Sequence, residues 1–173
     1  AGAPYLSEVS RAEIGAACLY SGRDGHLIWE KHGHEAIDRF GWSVAGPGDV
    51  DRDGRQDLLV SAPLADPGGR LNAGAAWLYS GRDGGLLQRF VGEHPFLQLG
   101  QSVAGAGDLD SDGVPELLLG IPRRNVQAGP DAGAVAIHSF RPFLYATASA
   151  ISAVAGGLLE YSLDFPKAEA GFS

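Results

Sequence analysis

Asp49-Val50-Asp51-Arg52-Asp53-Gly54-Arg55-Gln56-Asp57 recurs downstream as Asp108-Leu109-Asp110-Ser111-Asp112-Gly113-Val114-Pro115-Glu116. Carboxylates fall at positions 1, 3, 5 and 9 of each stretch, with glycine at position 6. Alternating acids in a tight loop aim several hard oxygens at one centre, and glycine lets the chain turn sharply enough to close it. Position 7, Arg55 or Val114, would add a backbone carbonyl. Hard oxygens in this number suit Ca²⁺ better than metals that prefer nitrogen or sulfur. A metal-free Asp/Gly-rich turn is the plain alternative, but it does not explain why the pattern occurs twice in register.

The EF-hand competes for the same residues. It requires a bidentate Glu at position 12 and a helix on either side. Position 12 here is Val60 in one copy and Leu119 in the other. Each loop leads into a short apolar run, Leu58-Leu59-Val60 or Leu117-Leu118-Leu119-Gly120-Ile121, that stops at Pro63 or Pro122. Such runs read as buried strands, so the loops are expected in a β context.

Residues 15–73 align with 74–132 at a constant offset of 59, without a gap, and 26 of the 59 positions are identical, which makes this an internal repeat. Gly15-Ala16-Ala17-Cys18-Leu19-Tyr20-Ser21-Gly22-Arg23-Asp24-Gly25 answers to Gly74-Ala75-Ala76-Trp77-Leu78-Tyr79-Ser80-Gly81-Arg82-Asp83-Gly84. A third copy opens at Ala132-Gly133-Ala134-Val135-Ala136-Ile137-His138-Ser139, and Ala3-Pro4 stands where an earlier Ala62-Pro63 would be. One period carries four strand signals, near Trp42–Ala45, Leu58–Ser61, Ala75–Ser80 and Leu86–Val91. The last two are joined by Gly81-Arg82-Asp83-Gly84, where Asp-Gly predicts the positive φ of a tight hairpin. This is not the Arg-Gly-Asp order of an adhesion tripeptide, and the hairpin accounts for it.

Four short antiparallel strands per period, repeated, predict propeller blades. Phe40-Gly41, followed by Gly-Asp-Val-Asp-Arg-Asp-Gly and then Ser61-Ala62-Pro63, resembles the FG-GAP repeat, over roughly residues 2–140. That family builds the β-propeller of integrin α subunits and of many bacterial extracellular proteins. The resemblance implies Ca²⁺ at two sites, in the loops between the first and second strands of a blade. Its ligands would be Asp49, Asp51, Asp53, Arg55 through its carbonyl and Asp57, then Asp108, Asp110, Asp112, Val114 through its carbonyl and Glu116. The second copy departs from the pattern, with Leu99-Gly100 for Phe-Gly, Gly120-Ile121-Pro122 for Gly-Ala-Pro, and Glu116 for Asp.

The expected organisation is all-β. FG-GAP propeller repeats occupy 1–142, as a partial blade 1–40, a full blade 41–94 and a partial blade 95–142. Residues 143–173 form a β-strand tail or the start of a second β domain, with strands about Ala146–Ser152 and Leu159–Phe165. Closed propellers typically have four to eight blades. About two and a half leave open faces and unpaired edges. These would be covered by the remaining blades of a longer chain, or by neighbouring copies in a homo-oligomer or head-to-tail filament.

The formal charge is −8, from 21 acids against 13 Lys plus Arg. The two loops hold eight acids, so the remainder balances at 13 against 13 and the net charge resides in the loops. This excludes the basic face that a nucleic-acid partner needs. Cys18 is the single cysteine, so no intrachain disulfide can form, and its apolar neighbours mark it as a small core residue. There is no methionine, so a processed chain or a piece of a longer one is expected, with no signal peptide remaining. Residues 142–159 lack charge, but their Ala, Ser, Thr and Gly are too weakly hydrophobic for a membrane span.

Catalytic motifs are missing: there is no Gly-x-Ser-x-Gly, no His-Glu-x-x-His and no phosphate-binding glycine loop. His32-Gly33-His34-Glu35 could bind a metal, but its copy Val91-Gly92-Glu93-His94 drops the pair, and a solvated loop is expected. Trp29, Trp42 and Trp77 could form a sugar platform, with core packing the simpler role for Trp77. The reading is a non-catalytic extracellular calcium-binding propeller module, for adhesion or for surface or filament assembly, with an undefined protein or glycan ligand. A carbohydrate-binding module, or the accessory propeller of a secreted hydrolase, is the alternative.

Overall fold

A computed structural model describes residues 1–7, 12–124 and 132–140. The strands expected at 146–152 and 159–165, and the uncharged stretch 142–159, lie outside the described residues. Among the described residues, ten strands form three antiparallel sheets. The first holds β1 (Gly2–Ala3), β2 (Ala16–Tyr20) and β3 (Leu27–His32); the second holds β4 (Val44–Ala45), β5 (Leu58–Ala62), β6 (Ala75–Tyr79) and β7 (Leu86–Val91). The third holds β8 (Val103–Gly107), β9 (Glu116–Ile121) and β10 (Ala134–His138). Each sheet is ordered as the chain runs, an up-and-down meander. Besides the strands there is one 3-10 turn, Pro67–Gly69, and the described residues contain no α-helix.

The offset of 59 seen in the sequence maps β2 onto β6 and β3 onto β7, down to a register shift between Leu19 and Tyr20 that recurs between Leu78 and Tyr79. The opening strands differ in length for a local reason. β4 stops at Ala45 before Gly46-Pro47, whereas β8 continues to Gly107 because Ala106 stands in the place of Pro47. Proline has no N–H to give to a sheet ladder, so pairing ends beside it.

The hairpin between β6 and β7 runs through Gly81-Arg82-Asp83-Gly84, with the positive φ expected of Asp-Gly. The Ser80 amide donates to the Gly85 carbonyl at 2.8 Å and the Gly84 amide to the Ser80 carbonyl at 2.9 Å, so four residues bridge the strands. Only Gly84 is left-handed, at φ 72°. Asp83 instead accepts the Gly85 amide on Oδ1 at 2.7 Å, and so orders the turn with its side chain.

The two central strands of the second sheet are buried on both faces, which is why β5 and β6 read as nearly continuous apolar runs rather than as an alternation. Odd and even positions divide between two cores, because successive side chains leave opposite faces of a strand. Ala75, Trp77 and Tyr79 pack towards the first sheet with Trp29, Phe40, Leu58 and Val60. Ala76 and Leu78 pack towards the third, with Leu59, Phe90, Leu117 and Leu119. Phe40 meets Trp77 edge-on at 5.2 Å, and Trp29 meets Tyr79 at 5.8 Å. Trp29 and Trp77 are therefore core residues, as Trp77 was expected to be. Trp42 stays half-buried beside Tyr5, with Arg39 over both rings.

One buried acid sets a pH dependence. Asp38 is held to 8% exposure in the connection between β3 and β4. Burial pushes its carboxyl up to about 6, helped by Asp66 and Glu35, while the Glu35 amide and Arg89 pull it down. The folded state thus binds the Asp38 proton more tightly than the unfolded chain does. This contribution to stability is complete below about pH 4 and is lost as pH rises towards 6. Asp38→Asn is expected to stabilise the fold at pH 7.5 by about 2 kcal/mol. Urea melts at intervals between pH 4 and 7.5 test this: equal pH slopes for the two proteins would show that Asp38 does not titrate there.

Candidate metal centre

Each acidic loop joins the first strand of a sheet to the second, β4 to β5 and β8 to β9, and each is organised by its own carboxylates. In the first loop Asp49 accepts the Asp53 amide on Oδ1 at 2.9 Å and the Gly54 amide on Oδ2 at 2.9 Å. Asp51 accepts the Asp53 amide at 3.1 Å, and Asp53 accepts the Arg55 amide at 2.9 Å. The second loop repeats these bonds: Asp108 takes the Asp112 and Gly113 amides at 3.0 and 2.9 Å, Asp110 the Asp112 amide at 3.2 Å, and Asp112 the Val114 amide at 2.8 Å. Gly54 and Gly113 take φ of 88° and 83°, which closes each loop as position 6 requires.

The loops bring together different members of their expected ligand sets. Carboxylate oxygens of Asp49, Asp51 and Asp53 lie within 4.8 Å of one another in the first loop, and those of Asp108, Asp110 and Glu116 in the second. His32 and His34 belong to neither group among the described residues; the His32 ring lies 3.2 Å from Glu30. Asp57 is engaged with backbone instead. It is buried, its Oδ2 accepts the Val50 amide at 2.7 Å, and its Oδ1 accepts the Gly81 amide from the β6–β7 turn at 3.0 Å. Glu116 occupies the same repeat position with one more methylene. Its Oε2 accepts the Leu109 amide at 2.6 Å, but its Oε1 is buried with no hydrogen-bond partner.

That orphaned oxygen tests whether a cation fits. A buried carboxylate oxygen without a donor is costly unless a positive charge meets it. Glu116 is 4% exposed and its group opens onto Asp108 and Asp110. An all-oxygen donor set of this kind matches a hard divalent cation. In the first loop burial, with neighbouring carboxylates adding to it, raises the Asp51 carboxyl above its usual range. Burial also raises Asp57, against the amides of Gly81 and Val50 that hold it down.

Two further side-chain contacts involve the first loop. Ser80 Oγ donates to Asp53 Oδ2 at 3.3 Å, and Arg52 reaches into the second loop to donate from Nη2 to the Asp112 carbonyl. The first was legible as the repeated Tyr-Ser-Gly at the end of β2 and β6; the second had no signal, because the repeat places Ser111 where Arg52 would recur.

A four-stranded antiparallel meander, flanked by two three-stranded sheets whose strands recur at the same offset, with an acidic loop between the first and second strands of the second and third sheets, has the pattern of propeller blades, and the class is an all-β array of such blades. A model of the FG-GAP repeat family matches residues 40–79 and 99–138, and the chain belongs to that family. It is 33% identical to integrin alpha-V of Gallus gallus over 123 residues, 66% of this chain and 11% of that protein. It is 32% identical to integrin alpha-5 of Xenopus laevis over 149 residues (79% and 13%), and 36% identical to integrin alpha-IIb of Homo sapiens over 134 residues (69% and 12%). The chain thus spans 11–13% of the length of these relatives. No helix among the described residues is long and apolar enough to cross a membrane.

Proposed function

We propose that the chain is a non-catalytic, calcium-stabilised propeller segment of an extracellular protein, used for adhesion or for surface or filament assembly. Asp49, Asp51, Asp53, Asp57 and the Arg55 carbonyl would hold Ca²⁺ at the first loop. Asp108, Asp110, Asp112, Glu116 and the Val114 carbonyl would hold it at the second. The observation that carries this reading is that Glu116, whose buried Oε1 has no hydrogen-bond partner, gathers its carboxylate with those of Asp108 and Asp110. Bound Ca²⁺ would supply positive charge to oxygens that now repel one another. The chain's own part is to pre-close each loop with backbone amides, so that ordering it on binding costs little. The integrin alpha relatives support the extracellular reading, and the partner would be remaining blades of a longer chain, a second copy, or a protein or glycan ligand. The carbohydrate-binding alternative rests on Tyr5 and Trp42, since Trp29 and Trp77 are buried.

Extracellular sites bind Ca²⁺ with Kd of about 10⁻⁴–10⁻³ M. At millimolar Ca²⁺ each loop then contributes about 1 kcal/mol, and chelation is expected to lower Tm by about 5 °C. Calorimetric melts with Ca²⁺ and then with excess chelator make the test, with light scattering on the same samples reporting whether copies associate. A Tm and a mass that both ignore chelator would remove the calcium reading.

A further inference from the structure

We propose that Arg52 couples the two acidic loops, so that a cation held by the first loop orders the second for another of the same kind. The inference rests on the metal reading above, and its basis is one side chain that crosses between loops 60 residues apart. Arg52 occupies position 4 of the first loop, exposed, with a left-handed φ of 62°. Its guanidinium donates to the carbonyl of Asp112 and sits 3.1 Å from where a Cβ on Gly113 would lie. The loops touch once more, where Pro115 packs so closely on Gly48 that an added Cβ would fall 2.7 Å from the proline ring.

The bond falls at a pivotal peptide. The Asp112 carbonyl and the Gly113 amide belong to one peptide group, and that amide donates to Asp108 Oδ2 at 2.9 Å. A charged donor on the carbonyl polarises the peptide and strengthens the donor at its other end. Arg52 thereby fixes Asp108, the position-1 ligand of the second loop. Arg52 stands in the chain between two residues that would be ligands of the first loop, Asp51 and Asp53. A cation there narrows the range of backbone positions from which the guanidinium reaches across. Coupling of this kind is reciprocal, and it ends at the second loop because Ser111, at the equivalent position, is too short to reach onward.

The test is a set of calcium titrations by calorimetry on the full chain. Asp49→Asn/Asp51→Asn leaves only the second loop, and Asp108→Asn/Asp110→Asn leaves only the first. The unaltered chain is expected to bind two Ca²⁺ with an overall constant about five-fold above the product of these single-loop constants. Arg52→Ala, an exposed change that keeps every ligand, is expected to bring the overall constant down to that product. If calcium binds both loops and Arg52→Ala leaves the overall constant unchanged, the coupling is refuted while the metal reading stands. If calcium binds neither loop, both fall together. Charge alone could mimic the effect, so the titrations are repeated at about 0.5 M salt, where exposed charges are screened; a five-fold excess that disappears there would also overturn the proposal.

Discussion

Asp57→Ala is expected to destabilise the fold by about 3 kcal/mol whether or not calcium is present. Both oxygens of this buried carboxylate accept backbone amides, from Val50 and from Gly81. Removing it strands two donors away from water at about 1–3 kcal/mol each. Relief of its own burial, which raises its carboxyl, offsets part of that loss. A chain of this size would lose about 10 °C of Tm. Thermal melts in chelator decide the matter. A full loss in chelator identifies Asp57 as the latch that ties the first loop to the β6–β7 turn. A loss that appears only with Ca²⁺ would reduce it to a metal ligand. Glu116 makes one of those two bonds and leaves its other oxygen bare, so the equivalent truncation there should cost less in chelator and more with Ca²⁺.

Trp77→Ala is expected to cost more, about 4 kcal/mol. The indole is 7% exposed, meets Phe40 at 5.2 Å and carries Arg89 5.6 Å above its ring. It fills the seam between the first and second sheets, packed with Phe40, Trp29 and Tyr79. Urea denaturation should show the loss as a lower midpoint with an unchanged slope. Tyr20→Ala is the control. Tyr20 sits in the first sheet where Tyr79 sits in the second, but it is 51% exposed, and a change within about 0.5 kcal/mol is expected. A loss below about 1 kcal/mol for Trp77→Ala would mean that the first sheet does not pack on the second as described.

Much of this molecule was legible in the chain because it is written there twice. An offset of 59 with 26 matches located β5 to β7 to within a residue or two, since packing on both faces demands continuous apolar runs and hairpins demand glycine at fixed places. The first strand was less legible, because its length depends on whether proline or alanine stands at one position, Pro47 or Ala106. The hairpin was legible too: Gly84 supplies the positive φ that Asp-Gly predicts, while the part played by the Asp83 side chain, which accepts the Gly85 amide, shows only in the structure.

By itself the sequence determined the all-β repeat and the two acidic loops, because strand periodicity and carboxylate spacing are local properties of the backbone. Only the tertiary structure decided which oxygens converge. Asp57 and Glu116 share a repeat position, yet one oxygen of Asp57 is taken by Gly81, an amide brought to it from 24 residues away, while one oxygen of Glu116 meets no donor among the described residues. The reach of Arg52 to Asp112 has the same origin. Contacts between blades depend on how sheets stack, and stacking is set by side chains far apart in the chain, which no local pattern records.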